Sequence, residues 1–259
     1  MFYLQLASDL HLDYNDELES IRRTNLIPQR LIARPKRKST VLVLAGDICD
    51  IDSWPWILDA VVPYWQEIWI VLGNHEFYFE WIADVQERFR RIVSNYPSVR
   101  FLEQNTFEYK GYTVLGTTGW APALSVPDVL WAISDFTYIK DFYKNLVTCQ
   151  NLHEISVDWI KTQLTLATKP VILLTHFGML TLQSKKFPGS VLNNYFLTGA
   201  LDGLIIKPTL LLHGHTHECY TVSTNCYSLV CNPYGYGSEN RFYTPNRVLK
   251  LNQDGVITI

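Results

Sequence analysis

Thiol chemistry has little place in this sequence. The chain of 259 residues holds only five cysteines, and no two of them have the CxxC spacing of thiolate metal sites and redox motifs. An odd number of scattered cysteines also argues against a disulfide framework. The sequence therefore predicts reduced cysteines that fill space in the core, at Cys49, Cys149, Cys219, Cys226 and Cys231.

Charged residues are also scarce. Asp, Glu, Lys and Arg make up 18% of the chain, and the formal net charge is -3. Such a low share of charge beside 47% hydrophobic residues argues against disorder and favours a sizeable buried core. A chain without net positive charge has no general basic field that would attract nucleic acid. The composition therefore gives no support for a nucleic-acid partner, and whether there is one stays open.

The sequence has no long apolar run. Its first residues, MFYLQLASDLHLD, lack the basic segment, apolar stretch and small-residue cleavage site of a secretory signal. No uninterrupted apolar stretch is long enough to cross a membrane. These absences predict a cytoplasmic protein without a membrane partner.

Short apolar runs alternate with amphipathic segments over most of the chain. Six runs are β-branched or leucine-rich and are predicted strands: Phe2–Ala7, Val41–Ala45, Ile68–Leu72, Tyr112–Thr117, Val171–Thr175 and Thr209–His213. Three segments have the length and apolar spacing of helices: Trp54–Trp65, Phe77–Asn95 and Leu152–Ala167. This alternation indicates an α/β protein with layers packed around a sheet.

The last part of the chain is mostly predicted strand. Four short apolar segments are separated by turns such as STN, PYGYG and NQDG: Cys219–Val222, Tyr227–Asn232, Val248–Leu251 and Val256–Ile259. We expect them to form an antiparallel meander that closes the sheet. A charged segment over 15–40 and an aromatic segment over 120–144 interrupt the alternation, and we interpret both as insertions in a single domain spanning 1–259.

Polar residues follow five of the predicted strands. The five segments are SDLHLD, GDICD, GNHE, HFG and HGHTHE, and Gly46, Gly73 and Gly214 allow tight turns and close backbone approach within them. In open α/β sheets, ligands bind beyond the carboxyl ends of strands, so these segments are expected to converge on one cleft. Each motif alone could be a helix cap or a surface group. Five in this order favour a functional site.

The polar segments offer imidazoles, carboxylates and one amide oxygen, but no thiolate ligand. Such ligands suit divalent manganese, iron, zinc, nickel or cobalt rather than copper(I) or an iron–sulfur cluster. Residues two apart on an extended chain point the same way, which pairs Asp9 with His11 and His215 with His217. The set exceeds what one four-coordinate metal needs, so we expect two metals that share one carboxylate.

The ordered series SDLHLD, GDICD, GNHE, TH and GHTH resembles the calcineurin-like metallophosphoesterases. That superfamily includes protein Ser/Thr phosphatases, purple acid phosphatases, cyclic-nucleotide phosphodiesterases and DNA repair nucleases. The resemblance runs from Asp9 to His217 and is specific for the superfamily, but it does not select the substrate. It implies a four-layer α/β/β/α sandwich of two mixed sheets, with a dinuclear metal site at the carboxyl ends of the strands.

The resemblance also implies a role for each polar residue. Seven metal ligands are implied: Asp9, His11 and His217 for one metal, Asn74, His176 and His215 for the second, and Asp47 as the bridge between them. His75 corresponds to the general acid of the family, and Asp50 to the carboxylate that orients it. His213 is not at a ligand position of the family, and we interpret it as a structural residue at a strand end.

The implied chemistry is that of phosphate-ester hydrolysis. Two metals about 3.5–4 Å apart clamp phosphate oxygens and lower the pKa of a bridging water toward neutrality, so that hydroxide attacks phosphorus. His75 then protonates the leaving group, a step that typically contributes about 10²–10⁴-fold. We predict a metal-dependent phosphoesterase, with manganese as the favoured metal, that acts on phosphodiesters or small phosphomonoesters.

One departure from the family motif bears on the substrate. Protein Ser/Thr phosphatases continue GDxxD with Arg-Gly, and that Arg holds the phosphate, whereas here Asp50 is followed by Ile51 and Asp52. Protein phosphatase activity is therefore an alternative rather than the prediction. A non-catalytic scaffold that kept the fold is a second alternative, disfavoured because every expected ligand is present. A repair nuclease, which usually has further capping and coiled-coil parts, ranks lowest.

Overall fold

Two six-stranded sheets form the centre of the molecule in the computed structural model, which describes residues 1–123, 133–143, 145–186, 188–237, 239–252 and 255–258. The first sheet has the spatial order β12 (Gly255–Thr258), β11 (Val248–Asn252), β1 (Phe2–Ala7), β2 (Thr40–Ala45), β3 (Ile68–Val71) and β4 (Val99–Phe101). Strands β1 to β4 are parallel, whereas β11 runs antiparallel to both β1 and β12.

The second sheet has the same number of strands. Its spatial order is β5 (Asn105–Tyr109), β6 (Tyr112–Gly116), β7 (Val171–Leu174), β8 (Leu210–His213), β10 (Ser228–Cys231) and β9 (Tyr220–Ser223). The four central strands are parallel, and both edge strands are antiparallel to their neighbours. Both sheets are therefore mixed, as predicted.

The central strands are buried on both faces, which is why they appear in the sequence as continuous apolar runs. Val43 of β2 and Ile172 of β7 belong to one apolar cluster, built from residues of the two sheets that pack against each other. Their neighbours Leu44 and Leu173 belong to a second cluster, which includes helical residues such as Trp54. The sheets are thus packed face to face, with helices on their outer sides.

Six α-helices lie within the described part of the chain: α1 (Glu17–Thr24), α2 (Trp54–Val61), α3 (Ile82–Val93), α4 (Asp135–Tyr138), α5 (Leu146–Leu166) and α6 (Asn193–Phe196). Helix α3 buries Ile82, Val85 and Phe89, which are spaced as one face of a helix requires. The predicted four-layer α/β/β/α sandwich is confirmed. Among the described helices, none is long and apolar enough to cross a membrane.

The predicted antiparallel meander at the end of the chain is wrong. Strands β9 and β10 join the second sheet, where β10 runs parallel to β8, while β11 and β12 extend the first sheet. Leu229, Val230 and Cys231 of β10 are all buried, as a strand inside a sheet requires. Short apolar runs do not specify their partners, so a pattern of four strands does not reveal that two sheets share them.

The two irregular segments also contain helices. Helix α1 lies within 15–40 and buries Leu18 and Ile21, although its many charges concealed it in the sequence. The aromatic segment contains α4, with Phe136 and Phe142 buried. Its residues 124–132, including Trp131, and Lys144 lie outside the described residues.

All five cysteines are free thiols, as predicted. Cys49, Cys149 and Cys231 are buried and fill space in the core. The prediction of burial is wrong for Cys226, which is exposed, and Cys219 is half-buried.

Candidate metal centre

The five polar strand ends converge where the two sheets meet. They follow β1, β2 and β3 of the first sheet and β7 and β8 of the second. His176 Nδ1 lies 2.8 Å from the carbonyl oxygen of Ala45, and the backbone N–H of His215 donates to Asp9 Oδ1 at 2.9 Å. These hydrogen bonds cross from one sheet to the other and hold the strand ends together.

The backbone is unusual at the predicted ligands. Nine non-glycine residues in the described ranges have a positive φ, and five of them are predicted ligands: Asp9 (52°), His11 (44°), Asp47 (54°), His215 (66°) and His217 (50°). Left-handed backbone costs free energy for any side chain with a Cβ, and it persists only where the surrounding structure enforces it. Its concentration here makes the strand ends a candidate functional site.

Two glycines allow the backbone to approach the carboxylates. A Cβ at position 73 would lie 2.1 Å from Asp47 Oδ1, and a Cβ at position 214 would lie 2.6 Å from Asp9 Oδ2. Neither distance is possible between non-bonded atoms, so only glycine fits at these positions. The close approach expected from the sequence is therefore present at Gly73 and Gly214.

Asp9, His11 and His217 form the first group of candidate ligands. Each offers one ligand atom, and the three atoms lie within 4.8 Å of one another. His11 Nε2 is 3.2 Å from His217 Nε2, which is itself 3.4 Å from Asp9 Oδ1. Behind this group, Glu239 Oε2 lies 2.8 Å from His217 Nδ1 and orients the imidazole. No motif in the sequence pointed to Glu239.

Asp47, His176 and His215 form the second group of candidate ligands, again with their ligand atoms within 4.8 Å. Asn74 Oδ1 lies 2.9 Å from His176 Nε2 and so faces the same space. Asp47 Oδ2 is 3.3 Å from His176 Nε2 and 3.9 Å from His11 Nε2. Asp47 therefore lies between the two groups, where the family resemblance implies a bridging carboxylate.

The buried carboxylates at this site favour the binding of cations. Burial raises the pKa of Asp9 and of Asp47, but neighbouring imidazoles outweigh it and lower both values. Burial lowers the pKa of His176, yet the Asp47 carboxylate outweighs burial and raises the pKa to about 9. Burial also lowers the pKa of His217, but the hydrogen bonds of this ring to Asp9 and Glu239 outweigh burial and raise the pKa to about 10. The two imidazoles thus hold protons where two carboxylates require positive charge, and metal ions would replace those protons.

The neutral imidazoles of the site fit the same conclusion. Burial lowers the pKa of His11 to about 3 and that of His215 well below its usual value, so both rings are uncharged and able to bind a metal. His215 Nε2 is buried and has no hydrogen-bond partner among the described residues. Nitrogen and oxygen donors that include an unsatisfied buried atom fit divalent cations.

The candidate general acid lies beside the first group of ligands. His75 Nε2 is 3.9 Å from Asp47 Oδ2 and 3.1 Å from the hydroxyl oxygen of Tyr236. The ring of Tyr78 lies 4.3 Å from the ring of His75, and the ring of Tyr236 stacks on His11 at 4.4 Å. Tyr236 was not predicted, although an aromatic residue between two glycines in PYGYG is a signal that could have been used.

The predicted contact between Asp50 and His75 is not formed. Asp50 Oδ1 accepts hydrogen bonds from the backbone N–H groups of Asp52 and Ser53, both at 3.0 Å, and Oδ2 accepts from the Ser53 hydroxyl at 2.6 Å. Asp50 therefore caps the short 3-10 helix Ile51–Ser53 that leads into α2. The sequence D-x-x-S is typical of such a cap, in which both carboxylate oxygens of Asp50 accept hydrogen bonds.

Glu76, the last residue of GNHE, organises the loops around the bridging position. Its carboxylate accepts hydrogen bonds from the backbone N–H groups of Gly73 at 2.7 Å, Asp47 at 3.0 Å and Ile48 at 2.8 Å. Burial and the nearby Asp47 raise its pKa to about 8, while these hydrogen bonds act in the opposite direction. The residue ties the loop after β2 to the loop after β3.

His213 has partners within the protein on both ring nitrogens. Nδ1 lies 2.9 Å from the carbonyl oxygen of Gly214, and Nε2 lies 2.7 Å from the Tyr220 hydroxyl. Burial lowers its pKa to about 4, so the ring is neutral. Of the three histidines in HGHTH, His215 and His217 belong to the candidate ligand groups and His213 does not.

The two ligand groups open into a cavity of about 250 Å³. Apolar rings line part of it, from Tyr78, Tyr195, Phe196 and Tyr236. Among its described lining residues, Lys186 is the one Lys or Arg side chain, and it forms an ion pair with Glu239. The cavity thus combines candidate metal ligands, a cation and an apolar wall.

Comparison with known proteins gives likenesses of sequence and of fold. A family model described as calcineurin-like phosphoesterase matches residues 6–219. The sequence is 24% identical to an uncharacterized protein of Acanthamoeba polyphaga mimivirus, over 98% of each chain. The fold is similar to that of a phosphopantetheinyl hydrolase from Mycobacterium tuberculosis, with a TM-score of 0.64 and 16% identity over 99% of this chain and 95% of that one. It is also similar to a dimetal phosphatase from Danio rerio, with a TM-score of 0.56 and 13% identity over 99% and 95% of the two chains.

Proposed function

Since the chain belongs to the calcineurin-like phosphoesterase family, it is a metal-dependent phosphoesterase, and we propose that it hydrolyses phosphodiesters or small phosphomonoesters. One observation supports this proposal above all. The Asp47 carboxylate lies between two groups of nitrogen and oxygen donors, with Oδ2 3.3 Å from His176 Nε2 and 3.9 Å from His11 Nε2. A carboxylate shared by two such groups is what a two-metal hydrolase needs.

The family implies two divalent ions, and the residues fit two sites. We assign Asp9, His11 and His217 to one ion, Asn74, His176 and His215 to the other, and Asp47 to both. When bound, the ions would neutralise charge on the phosphate ester and lower the pKa of water. Manganese is our first choice for the metal, and iron, zinc, nickel and cobalt suit the same ligands.

His75 is our candidate for the acid that protonates the leaving group. Its Nε2 is within hydrogen-bond reach of an oxygen above the ligand groups, because the Tyr236 hydroxyl lies there at 3.1 Å. A leaving-group oxygen that replaces this hydroxyl would receive the proton from Nε2. The ring of Tyr78, at 4.3 Å, packs against the imidazole and limits its rotation.

The kind of cation at the cavity supports the proposal that small monoesters or diesters, rather than phosphoproteins, are the substrates. No arginine is among the described lining residues, and Lys186 is there instead. An arginine binds two phosphate oxygens in a planar fork, whereas a lysine acts as a point charge. The advantage of a dianionic phosphoserine over a monoanionic diester is therefore reduced. The aromatic wall of Tyr78, Tyr195 and Tyr236 could pack against the organic part of an ester.

A hydrolysis panel with added Mn²⁺ tests the proposal. It contains an aryl phosphomonoester, an aryl phosphodiester, cyclic nucleotides, a phosphopantetheinyl ester, single-stranded DNA and a phosphopeptide. We expect turnover of a diester or a small monoester by the metal-loaded protein, and loss of turnover in Asp47→Ala. A protein that binds two metals and hydrolyses none of these esters would favour the non-catalytic scaffold.

A further inference from the structure

A buried carboxylate outside the predicted site lies behind the Asn74 amide. Asp135, the first residue of α4, is 1% exposed, and its Oδ1 accepts a hydrogen bond from Asn74 Nδ2 at 2.8 Å. On the other side of the same amide, Asn74 Oδ1 lies 2.9 Å from His176 Nε2. The Asn74 side chain is therefore held between a carboxylate and a candidate metal ligand.

The carboxylate decides which way the amide faces. An asparagine amide has an oxygen and a nitrogen of similar size, and a half-turn exchanges an acceptor for a donor. A carboxylate only accepts hydrogen bonds, so the NH₂ group must face Asp135 and the oxygen must face His176. With the opposite orientation, two oxygens would meet in a buried site and the NH₂ group would point at the metal position.

The carboxylate is itself fixed from two sides. The hydroxyl of Tyr78 donates to Asp135 Oδ1 at 2.8 Å, and the hydroxyl of Tyr195 donates to Oδ2 at 2.7 Å. Tyr195 is 1% exposed, so this hydrogen bond is made away from water, where it is stronger. Three donors thus hold Asp135 in one position, in agreement with a role in orienting Asn74.

We propose that Asp135 is a positioning residue that presents Asn74 Oδ1 as a metal ligand beside His176 and His215. This inference rests on the proposed function, because it assumes that a divalent ion binds there. Within the described residues, Asp135 belongs to none of the three groups of candidate ligands, which are the two above and the overlapping group of His11, Asp47 and His75. The aromatic segment over 120–144 thereby contributes to the metal centre through α4 without supplying a ligand.

The test is metal affinity rather than turnover. Asp135→Asn keeps the side-chain shape but replaces one acceptor oxygen by an NH₂ donor, so position 135 can meet either end of the Asn74 amide and no longer fixes its orientation. Mn²⁺ titration of chelator-treated protein, followed by calorimetry and electron paramagnetic resonance, should show one of two sites weakened by about 10–100-fold, the usual effect of losing a partner of a metal ligand. Thr137→Ala, an exposed position on the same helix, is the matched control and should leave both affinities unchanged.

A double-mutant cycle with Asn74→Ala separates positioning from general damage to the fold. If Asp135 acts through Asn74, Asp135→Asn should weaken metal binding in the wild-type background and add almost nothing in Asn74→Ala. Additive losses, or two unchanged affinities in Asp135→Asn, would overturn the inference while leaving the phosphoesterase proposal intact. Failure of the wild-type protein to bind two ions would instead overturn the proposed function.

A measurement on the wild-type protein covers the case in which Asp135→Asn does not fold. The Asn74 side-chain NH₂ protons, identified in nuclear magnetic resonance spectra by their loss in Asn74→Ala, should exchange slowly with water because they are bound to Asp135. Fast exchange of these protons in protein loaded with diamagnetic Zn²⁺ would overturn the inference.

Discussion

Asp47 is the residue on which both candidate metal groups depend. Its backbone adopts a φ of 54°, and its side chain faces His11 on one side and His176 on the other. The close approach of Gly73 to Asp47 and the hydrogen bond from the Asp47 backbone N–H to the Glu76 carboxylate hold the loop in this conformation. A strained backbone at a shared carboxylate is what a preorganised two-metal site would use.

Asp47→Ala should weaken metal binding at both sites, because each group loses a shared oxygen. Metal analysis of protein purified without chelator should approach two transition ions per chain for the wild type and fall clearly below that for the variant. His217→Ala is the matched comparison, since it removes a ligand from the first group only and should spare the other site. Full occupancy in Asp47→Ala would contradict the bridging assignment.

His75→Ala should leave the fold and the metals in place and reduce turnover selectively. An ester with a poor leaving group needs a proton on the departing oxygen, so its kcat should fall by about 10²–10⁴-fold. Nitrophenolate leaves without protonation, so kcat for a nitrophenyl ester should fall much less. Steady-state kinetics on a matched pair of alkyl and nitrophenyl esters provide the measurement, and equal losses on both would argue against a general acid.

At the scale of secondary structure, the site depends on how helices and strands end. Asp50 follows the β2 loop and caps the turn that leads into α2. Asn74 and His75 begin a 3-10 turn after β3. The same few residues therefore stop the strand, start the next helix and present polar side chains, which explains why caps and candidate catalytic groups are adjacent in GDICD and GNHE.

Asp50→Ala should act on stability through the lost cap. Removal of an N-cap side chain costs about 0.5–2 kcal/mol of unfolding free energy, which denaturant titration would measure. Asp50→Ser keeps a capping oxygen and should recover most of that loss. Because Asp50 does not contact His75, the dependence of kcat on the leaving group should match the wild type in both variants. A loss of that dependence in both would instead restore the role assigned to Asp50 from the family resemblance.

Gly73→Ala should damage metal binding without unfolding the protein. The new Cβ would lie 2.1 Å from Asp47 Oδ1, so either the carboxylate or the loop after β3 must move. Gly203→Ala is the control, because a Cβ there meets no atom within 4 Å. Mn²⁺ titration of both variants should show weakened binding for position 73 alone, and wild-type affinity at position 73 would mean that the close approach is not required.

The strands and helices that were predicted from the sequence share one property. Each has a pattern of buried apolar residues that is recognisable within its own short segment of the chain. Strand β1 was predicted with its observed bounds, Phe2–Ala7. Strand β4, Val99–Phe101, was missed because three residues that include an exposed Arg100 carry no pattern of their own. Edge strand β5 was missed for the same reason, since its side chains are exposed or half-buried and its ladder with β6 supplies the order.

The candidate site divides in the same way. Its seven predicted ligands follow strands in recognisable motifs, and the fold brings them together. Asp135, Tyr236 and Glu239 lie outside every motif and reach the site from distant parts of the chain, so only the tertiary structure reveals them. The capping contacts of Asp50 were also not predicted, because a motif does not show which hydrogen bonds a carboxylate makes, and its role toward His75 stays a prediction.

At the scale of the whole molecule, the two sheets meet along the edge where the strand ends carry the candidate ligands. One side of the cavity there is formed by loops of the first sheet, and the other by loops of the second sheet together with α4 and α6. The shape and charge of this cavity, rather than the ligands, must select the substrate, because the ligands are common to a superfamily with many substrates.

Substrate selection by this cavity is the last prediction. We expect kcat/KM for an aryl diester or a small monoester to exceed that for a phosphopeptide by about tenfold or more, equivalent to about 1.4 kcal/mol of transition-state free energy. Lys186→Met should lower kcat/KM for all phosphate esters, because it removes the cation at the cavity and breaks the ion pair with Glu239, which orients His217. Lys186→Arg should retain activity and shift preference toward dianionic monoesters, since its planar fork binds two oxygens. A phosphopeptide preferred by tenfold in the wild type would show that a point charge suffices for phosphoproteins and would contradict the proposed substrate class.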